Sequence, residues 1–327
     1  MIKFSTIGTN WITEEFIRAA KNIPDFSLHA VYSRTEEKAR EFAEKVGAKL
    51  AFSNLEEMAN CDEVDAVYIA SPNSFHAEQA IFLMNRGKHV LCEKPMASNA
   101  KEVKEMAEAA RQNNVVLMEA MKTTLLPNFQ AIRKHLHKIG KIRRYFASYC
   151  QYSSRYDQYK KGIVLNAFNP VFSNGSLMDI GVYCLYPMVV LFGKPRNVKA
   201  NSLKLESGVD GEGSILVDYG EMEAAVIYSK ITNSYIPSEI QGEEGSMIID
   251  AIHTPQKVEI HYRDGRVEDI SEEQPFHPMY YEAKEFIDLI QNGQRESGTN
   301  SIEHSLITIE IMEEARKQTG IMFPADK

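Results

Sequence analysis

Apolar residues in the first third of the chain follow two patterns. Short, continuous apolar runs rich in β-branched residues predict buried strands at 3–8, 26–33, 64–70, 89–94 and 115–119. The segments between them carry apolar residues three or four positions apart, which predicts helices at 12–23, 35–46, 76–87 and 99–112. Strands that alternate with helices are typical of a parallel, doubly wound α/β sheet.

The pattern changes after Pro127. A helix is predicted at 128–138, and alternating apolar and polar residues then predict strands at 141–152, 197–206, 214–219, 222–231 and 245–250. Asp264-Gly265 is the favoured two-residue turn of a hairpin, and amphipathic helices at 279–291 and 301–318 close the chain. We therefore expect a first domain at 1–120 and a second, α+β domain at 121–327, built on an open, mainly antiparallel sheet.

Composition narrows the function classes. The chain has 327 residues, enough for two domains of about 100–200 residues each, and a net charge of −8. That charge argues against nucleic acid or an anionic membrane as a partner, and no apolar run has the length of a membrane span. The cysteines lie far apart, without the spacing of a disulfide frame or a metal site. With no signal-peptide pattern at the start, these features predict a cytoplasmic protein that holds no metal.

The stretch "IGTNWITEEF" (7–16) resembles a glycine-rich nucleotide-binding turn that has kept one glycine. Gly8 meets the need for a tight turn, whereas Asn10 and Thr13 stand where the other glycines belong. We expect Asn10 to adopt positive φ and to donate to a phosphate, and Thr13 to permit close packing. Taken alone, the turn fits a plain structural role as well as a nucleotide site.

The end of the second predicted strand indicates which nucleotide would bind. NAD-binding proteins place a carboxylate there on the ribose 2′-hydroxyl, but here Ser33 and Arg34 occupy the position. A hydroxyl and a guanidinium suit a 2′-phosphate. We therefore predict NADP, with NAD as the alternative; a surface arginine at a helix start is the structural interpretation.

Three further stretches carry a family resemblance: "SPNSFHAEQA" (71–80), "CEKPMA" (92–97) and "NGSLMDIGVYCLYP" (174–187). Together they closely resemble the Gfo/Idh/MocA oxidoreductases, which combine an N-terminal Rossmann domain with an open-sheet domain. The tyrosine form of the third motif, with Tyr183, is similar to the branch that contains dimeric dihydrodiol dehydrogenase and NADP-dependent D-xylose dehydrogenases. Thr124 stands where that branch has an arginine, so its substrate cannot be carried over.

The resemblance implies a set of site residues. Lys94 would lie beside the nicotinamide, with the peptide bond before Pro95 often cis, and Asp179 and Tyr183 would face the cofactor. Two roles stay open for the Trp11 side chain: it forms a wall of the ribose site, or it packs in the protein core. The positions expected to contact the cofactor are Gly8, Thr9, Asn10, Trp11, Ile12, Ser33, Arg34, Ser71, Pro72, Asn73, His76, Glu93, Lys94, Pro95 and Glu119.

Those residues suit oxidation of a secondary alcohol, in which a hydride leaves carbon while a base takes the hydroxyl proton. Lysine and tyrosine titrate near pH 10 in water, so a base at neutral pH needs neighbours that lower its pKa. We expect Tyr183 to exchange the proton while Lys94 orients the substrate and tunes Tyr183; the reverse assignment stays open. Asp179 would orient the substrate hydroxyls or Lys94, and Glu93 would hold the loop.

The expected function is an NADP-dependent dehydrogenase or reductase acting on a CH–OH group of a sugar, polyol or cyclic diol. The family's second domain commonly pairs through its open sheet face, which implies a homodimer or a dimer of dimers. Two alternatives remain on the same fold: a non-catalytic NADP-binding sensor or scaffold, and a reductase of an imine or C=C bond.

Overall fold

The computed structural model describes all residues, 1–327, and the chain divides into two compact units. The first unit contains Met1–Lys122 and Phe276–Ile302, and the second contains Thr123–Pro275 and Glu303–Lys327. The helices, in chain order, are α1 (Trp11–Ala20), α2 (Glu36–Val46), α3 (Leu55–Ala59), α4 (His76–Met84), α5 (Ala100–Asn113), α6 (Pro127–His135), α7 (Ser154–Tyr159), α8 (Val182–Phe192), α9 (Pro278–Gln291) and α10 (Ile302–Thr319).

The first unit is built on a six-stranded parallel sheet. Its strands are β1 (Ile2–Ile7), β2 (Phe26–Tyr32), β3 (Leu50–Phe52), β4 (Ala66–Ile69), β5 (His89–Glu93) and β6 (Leu117–Ala120). The strand order is β3-β2-β1-β4-β5-β6, so the direction of winding reverses between β1 and β4. In such sheets ligands bind beyond the carboxyl ends of the strands at this reversal.

Helix α9 belongs to the first unit, although the sequence prediction placed everything after residue 120 in the second. Its Phe286 lies with the ring centre 5.9 Å from that of Phe4 in β1, and Phe16 of α1 stacks on Tyr68 of β4 at 3.8 Å. This aromatic core covers one face of the sheet. The apolar stripe of an amphipathic helix predicts that it is buried, but not against which sheet.

The second unit is built on an eight-stranded, mostly antiparallel sheet in which β7 and β10 pair in parallel. Its strands are β7 (Ile142–Cys150), β8 (Asn197–Lys204), β9 (Asp210–Asp218), β10 (Glu223–Ser229), β11 (Ser238–Gly242), β12 (Gly245–Ile249), β13 (Val258–Tyr262) and β14 (Val267–Asp269). Their order is β14-β13-β12-β11-β7-β10-β9-β8. Both sheets confirm the predicted fold class.

Two details of the second unit differ from the sequence prediction. Strand β11 was not predicted, because "SEIQG" is short and ends in glycine. The hairpin between β13 and β14 turns through Arg263, Asp264 and Gly265, since Tyr262 donates to the Arg266 carbonyl and Gly265 has φ +89°. The turn is therefore longer than the two-residue form expected for Asp-Gly.

One helical stretch, Pro170–Phe192, is long and apolar enough to cross a membrane by length and composition, with a mean hydropathy of 1.6 in its most apolar window. It was not expected from the sequence, because Asn174, Ser176 and Asp179 interrupt its apolar residues. Of that window, 78% is buried inside the protein. The stretch therefore serves as the core helix of the second unit.

Candidate active site

The turn between β1 and α1 requires glycine at its first position. Gly8 has φ +106°, and a Cβ there would lie 2.7 Å from the Ala70 carbonyl oxygen at the end of β4. No side chain larger than hydrogen fits this approach. The turn and the end of β4 are therefore drawn together at the point where the winding of the sheet reverses.

Asn10 acts differently from the prediction. Its φ is −93°, not positive, and its Oδ1 accepts from the Ile12 and Thr13 N–H groups at 3.1 and 3.2 Å as the cap of α1. Its Nδ2 donates to the Ala70 carbonyl at 3.1 Å. One of the two Nδ2 hydrogens is thus used within the protein, and the capping strength of asparagine explains why it stands in this position.

The neighbours of Asn10 line the opening of α1. Thr13 is buried, as the prediction of close packing requires, whereas Thr9 and Ile12 are half-buried. Trp11 is 64% exposed, so the alternative in which it packs in the core is wrong. Ser33 and Arg34 follow β2 at the same edge of the sheet, where Ser33 donates its N–H to Phe52 at 3.1 Å and Arg34 is exposed.

His76, at the start of α4, ties together two loops of this edge. Its ring is fully buried, with Nε2 2.9 Å from the Ser71 carbonyl and Nδ1 3.0 Å from the Pro95 carbonyl. Burial lowers the pKa of His76, although both carbonyls favour the protonated ring. The ring is therefore neutral at neutral pH. Pro72 and Asn73, half-buried, lie in the short turn between Ser71 and this helix.

Glu93, Lys94 and Pro95 leave the end of β5 as a loop held by carboxylates. The Lys94–Pro95 peptide bond is cis, and Lys94 is half-buried. Glu93 is buried; it accepts from the Tyr68 hydroxyl and, at 3.2 Å, from the Lys94 N–H. Glu119 of β6 accepts from the Met96 N–H at 3.0 Å. Both acids therefore fix the backbone around Lys94.

Glu282 is a third buried acid of the first unit and was not predicted from the sequence. It lies on α9, is fully buried, and neither of its carboxyl oxygens has a hydrogen-bond partner. Burial raises the pKa of Glu282 well above its usual range, and the negative charge of Glu93 adds to this while Lys122 opposes it. Burial therefore favours the protonated, uncharged form of Glu282. The helical pattern of α9 did carry a signal, because Glu282 lies three residues after Met279 and four before Phe286, on the apolar stripe of the helix.

In the second unit, Asp179 and Tyr183 lie one helical turn apart. Asp179 belongs to the π-helical turn Leu177–Gly181, and Tyr183 follows in α8. Single π-turns are frequent at functional sites. The Tyr183 ring packs edge-on against Tyr149 with ring centres 5.9 Å apart, and Tyr149 stacks on His253 at 4.0 Å. A carboxylate, a phenol and an aromatic wall thus belong to one face of this unit.

Two charged residues beneath the π-turn were also missed. Lys230, 4% exposed, forms an ion pair with Asp179, and Asp210 accepts from the Leu177 N–H at 2.6 Å. Burial raises the pKa of Asp210 to about 6, against an opposing effect of Lys230. A signal for Lys230 existed, because it continues the buried alternation of Ala224, Val226 and Tyr228 along β10. Asp210 had none, since the predicted strand began at 214.

These features define a class of protein. A parallel sheet with a glycine-tight turn at its reversal point, the amino end of a helix and a guanidinium after β2 fits an NAD(P) cofactor. The same chain carries a lysine loop and a carboxylate–phenol helix, which are groups for proton transfer and substrate orientation. The class is that of the nicotinamide-dependent oxidoreductases.

The chain belongs to the Gfo/Idh/MocA family. Residues 2–121 match the family model described as "Oxidoreductase family, NAD-binding Rossmann fold", and residues 129–248 match the GFO/IDH/MocA C-terminal domain. This confirms the predicted family and the prediction of an NAD(P)-dependent oxidoreductase.

Two relatives agree with this assignment, and a solved structure shares the fold. The chain is 62% identical over 327 residues to scyllo-inositol 2-dehydrogenase (NADP(+)) IolU of Bacillus subtilis, covering 100% of each chain. It is 30% identical to trans-1,2-dihydrobenzene-1,2-diol dehydrogenase of Xenopus laevis, covering 98% of this chain and 99% of that one. Aldose-aldose oxidoreductase of Caulobacter crescentus shares the fold, with a TM-score of 0.86, 20% identity, and coverage of 98% and 97%.

The raised pKa of Asp210 predicts how stability depends on pH. Because the folded-state pKa of about 6 exceeds the usual 3.8, folded protein holds this proton more tightly, and stability falls as pH rises from about 4 to 6. Asp210→Asn keeps an acceptor for Leu177 but removes the titration. Relative to wild type, the variant should gain roughly 3 kcal/mol in unfolding free energy between pH 4 and pH 7, measured by urea unfolding.

Asp218→Asn is the matched control, because Asp218 is an exposed carboxyl at the other end of the same strand. The groups that face Asp210 are the ammonium of Lys230 and the hydroxyl of Tyr228. Neither residue is mutated in the wild type, the Asp210→Asn variant or the control. A stability difference between wild type and Asp210→Asn that is constant across this pH range would contradict the assignment.

Proposed function

We propose that this protein is an NADP-dependent dehydrogenase that oxidises a secondary hydroxyl of scyllo-inositol, or of a closely similar cyclic polyol, and catalyses the reverse reduction. The observation that carries the proposal is the 62% identity to scyllo-inositol 2-dehydrogenase (NADP(+)) over the whole of both chains. Lys94, Asp179 and Tyr183 supply the proton-transfer and orienting groups that such a reaction needs.

We infer the role of each side chain from the family resemblance. Tyr183 exchanges the proton at the substrate oxygen, and Lys94 orients that oxygen and tunes Tyr183. Asp179 accepts hydrogen bonds from the substrate hydroxyls. Its ion pair with Lys230 holds the carboxylate in one orientation for this contact. The bound NADP takes or gives the hydride.

Arg34 supports NADP over NAD. Its guanidinium is exposed beyond β2, next to Ser33, where a 2′-phosphate would need two or more donors. No carboxylate occupies residues 32–34 to hold a free ribose hydroxyl. The NADP named for the Bacillus subtilis relative agrees with this choice.

We also propose a cytoplasmic homodimer or dimer of dimers. All four cysteines are free thiols, which suits a reducing compartment. The family resemblance implies pairing through the open sheet face of the second domain, and Leu203 of β8 and Leu216 of β9 are 51% and 60% exposed on one face of that sheet. A monomeric mass in sedimentation at micromolar concentration would contradict the dimer.

The activity test is absorbance at 340 nm with NADP⁺ and a panel of scyllo-inositol, other inositols, aldoses and cyclic diols. We expect the fastest reduction of NADP⁺ with an inositol. Lys94→Ala and Tyr183→Phe should each lower turnover by at least about 100-fold, since each removes a group that acts in the transition state. NADP binding should stay within about threefold of wild type. Tight NADP binding without turnover of any substrate would instead support a non-catalytic sensor.

Arg34→Ala should narrow the preference for NADP by about 10- to 100-fold, because it removes a charged donor to the 2′-phosphate. The measurement is kcat/KM for both cofactors at saturating substrate. Arg40→Ala is the control, because Arg40 is an exposed arginine of the adjoining α2 that pairs with Glu36. A wild-type enzyme that prefers NAD would show that the argument from Ser33 and Arg34 is wrong.

A further inference from the structure

Lys230 lies directly after β10 on the side of the strand that faces the core. Ala224, Val226 and Tyr228 alternate along this buried face, and the lysine takes the next place in the series. Only 4% of the residue is exposed. A lysine is almost never buried to this extent unless it has a charged partner.

The Lys230 ammonium has two carboxylates nearby, Asp179 and Asp210. Its Nζ forms an ion pair with the Asp179 carboxylate, which is 29% exposed on its outer side. The Phe168 ring centre lies 5.6 Å from Nζ, and the buried Asp210 also interacts with the charge. Asp179 thus contacts a buried cation while 29% of its side chain stays exposed.

The π-turn that carries Asp179 is seated closely on the sheet. A Cβ on Gly181 would lie 3.1 Å from the Tyr228 ring, and a Cβ on Gly175 would lie 2.3 Å from Asp210 Oδ1. Asp210 also binds the Leu177 N–H at the start of the turn. These close approaches fix the position of the Asp179 backbone relative to the sheet and to Lys230.

We propose that Lys230 is a positioning residue for the alcohol oxidation: it holds the Asp179 carboxylate in one orientation, as an acceptor for a substrate hydroxyl. The proposal rests on the proposed function, because it assigns that hydroxyl to the same reaction. Lys230 acts through Asp179 and needs no contact with substrate.

A purely stabilising role explains the lysine less well. Replacing a buried ion pair with apolar residues of similar volume is often neutral for stability or better, because desolvation cancels much of the attraction. What an apolar side chain cannot supply is a directional cation beneath a partly exposed carboxylate. A side chain that contacts substrate in one fixed orientation needs a neighbouring residue that holds its rotamer.

The experiment is a double-mutant cycle of Lys230→Met and Asp179→Asn in the full-length protein. Steady-state kinetics with NADP⁺ and the best polyol of the panel should give a kcat/KM about 10- to 100-fold below wild type for each single variant. In the Asp179→Asn background, Lys230→Met should change kcat/KM by less than about threefold, because its effect passes through Asp179. Lys230→Arg should recover most of the loss, since it restores a cation at that place.

The matched control is Lys194→Met. Lys194 is also a lysine of the second unit paired with a carboxylate, Glu310 at 2.7 Å, but its side chain is 66% exposed. It should leave kcat/KM within about twofold of wild type. NADP affinity should be unchanged in all variants, which separates a local effect from general unfolding.

The unfolding midpoints of wild type, Lys230→Met, Asp179→Asn and the double variant report on the ion pair without any substrate. The midpoint shift of the double variant should be smaller than the sum of the single shifts. Additive effects on both kcat/KM and the midpoint, or no recovery with Lys230→Arg, would overturn the proposal. A wild-type protein inactive on every substrate would refute the proposed function, and the midpoint cycle would then decide the ion pair alone.

Discussion

A charge that has been taken out of water must meet an opposite charge or hydrogen bonds, and this constraint governs the candidate site residues of both units. In the first unit the buried Glu93 accepts from the Tyr68 hydroxyl and the Lys94 N–H, and Glu119 accepts from the Met96 N–H. In the second, Lys230 is matched by Asp179. Each polar partner fixes a loop or a turn, so the loop that carries Lys94 and the turn that carries Asp179 are held by the same physical means.

Glu282 satisfies the constraint in another way. Neither of its carboxyl oxygens has a hydrogen-bond partner, and burial together with the charge of Glu93 raises its pKa well above the usual range. The group gives up its charge instead of being paired, which is the cheaper outcome for an acid in an apolar core. Because Glu93 has the Tyr68 hydroxyl and Glu282 has no such donor, the negative charge of the two acids belongs on Glu93, next to Lys94. Burial therefore favours the uncharged form of the acid that helix α9 contributes.

Local pattern predicted most of the elements but left out the strands β3 and β11 and the helices α3, α7 and α8. Contact between distant segments decided how the elements pack. Strand and helix periodicity located both sheets, and the family motifs located Lys94, Asp179 and Tyr183. The pattern could not assign α9 to the first unit, because an apolar stripe shows that a helix is buried but not which sheet it packs against. It misjudged Asn10, where intrinsic tolerance of positive φ was outweighed by a capping bond to α1 and a bond to Ala70. It passed over Lys230, although alternation along β10 places that residue on the buried face.

The second unit has two carboxylates for one buried ammonium, and burial decides between them. Asp210 is fully enclosed, and its pKa is raised to about 6 even with Lys230 nearby, so its ionised form is the costlier of the two. Asp179 keeps part of its surface open and takes the direct contact with the ammonium. The partly exposed carboxylate is thus the better place for the negative charge, because it loses less hydration than the enclosed Asp210. Asp210 instead uses its oxygen to hold the Leu177 N–H, and so secures the turn on which Asp179 stands.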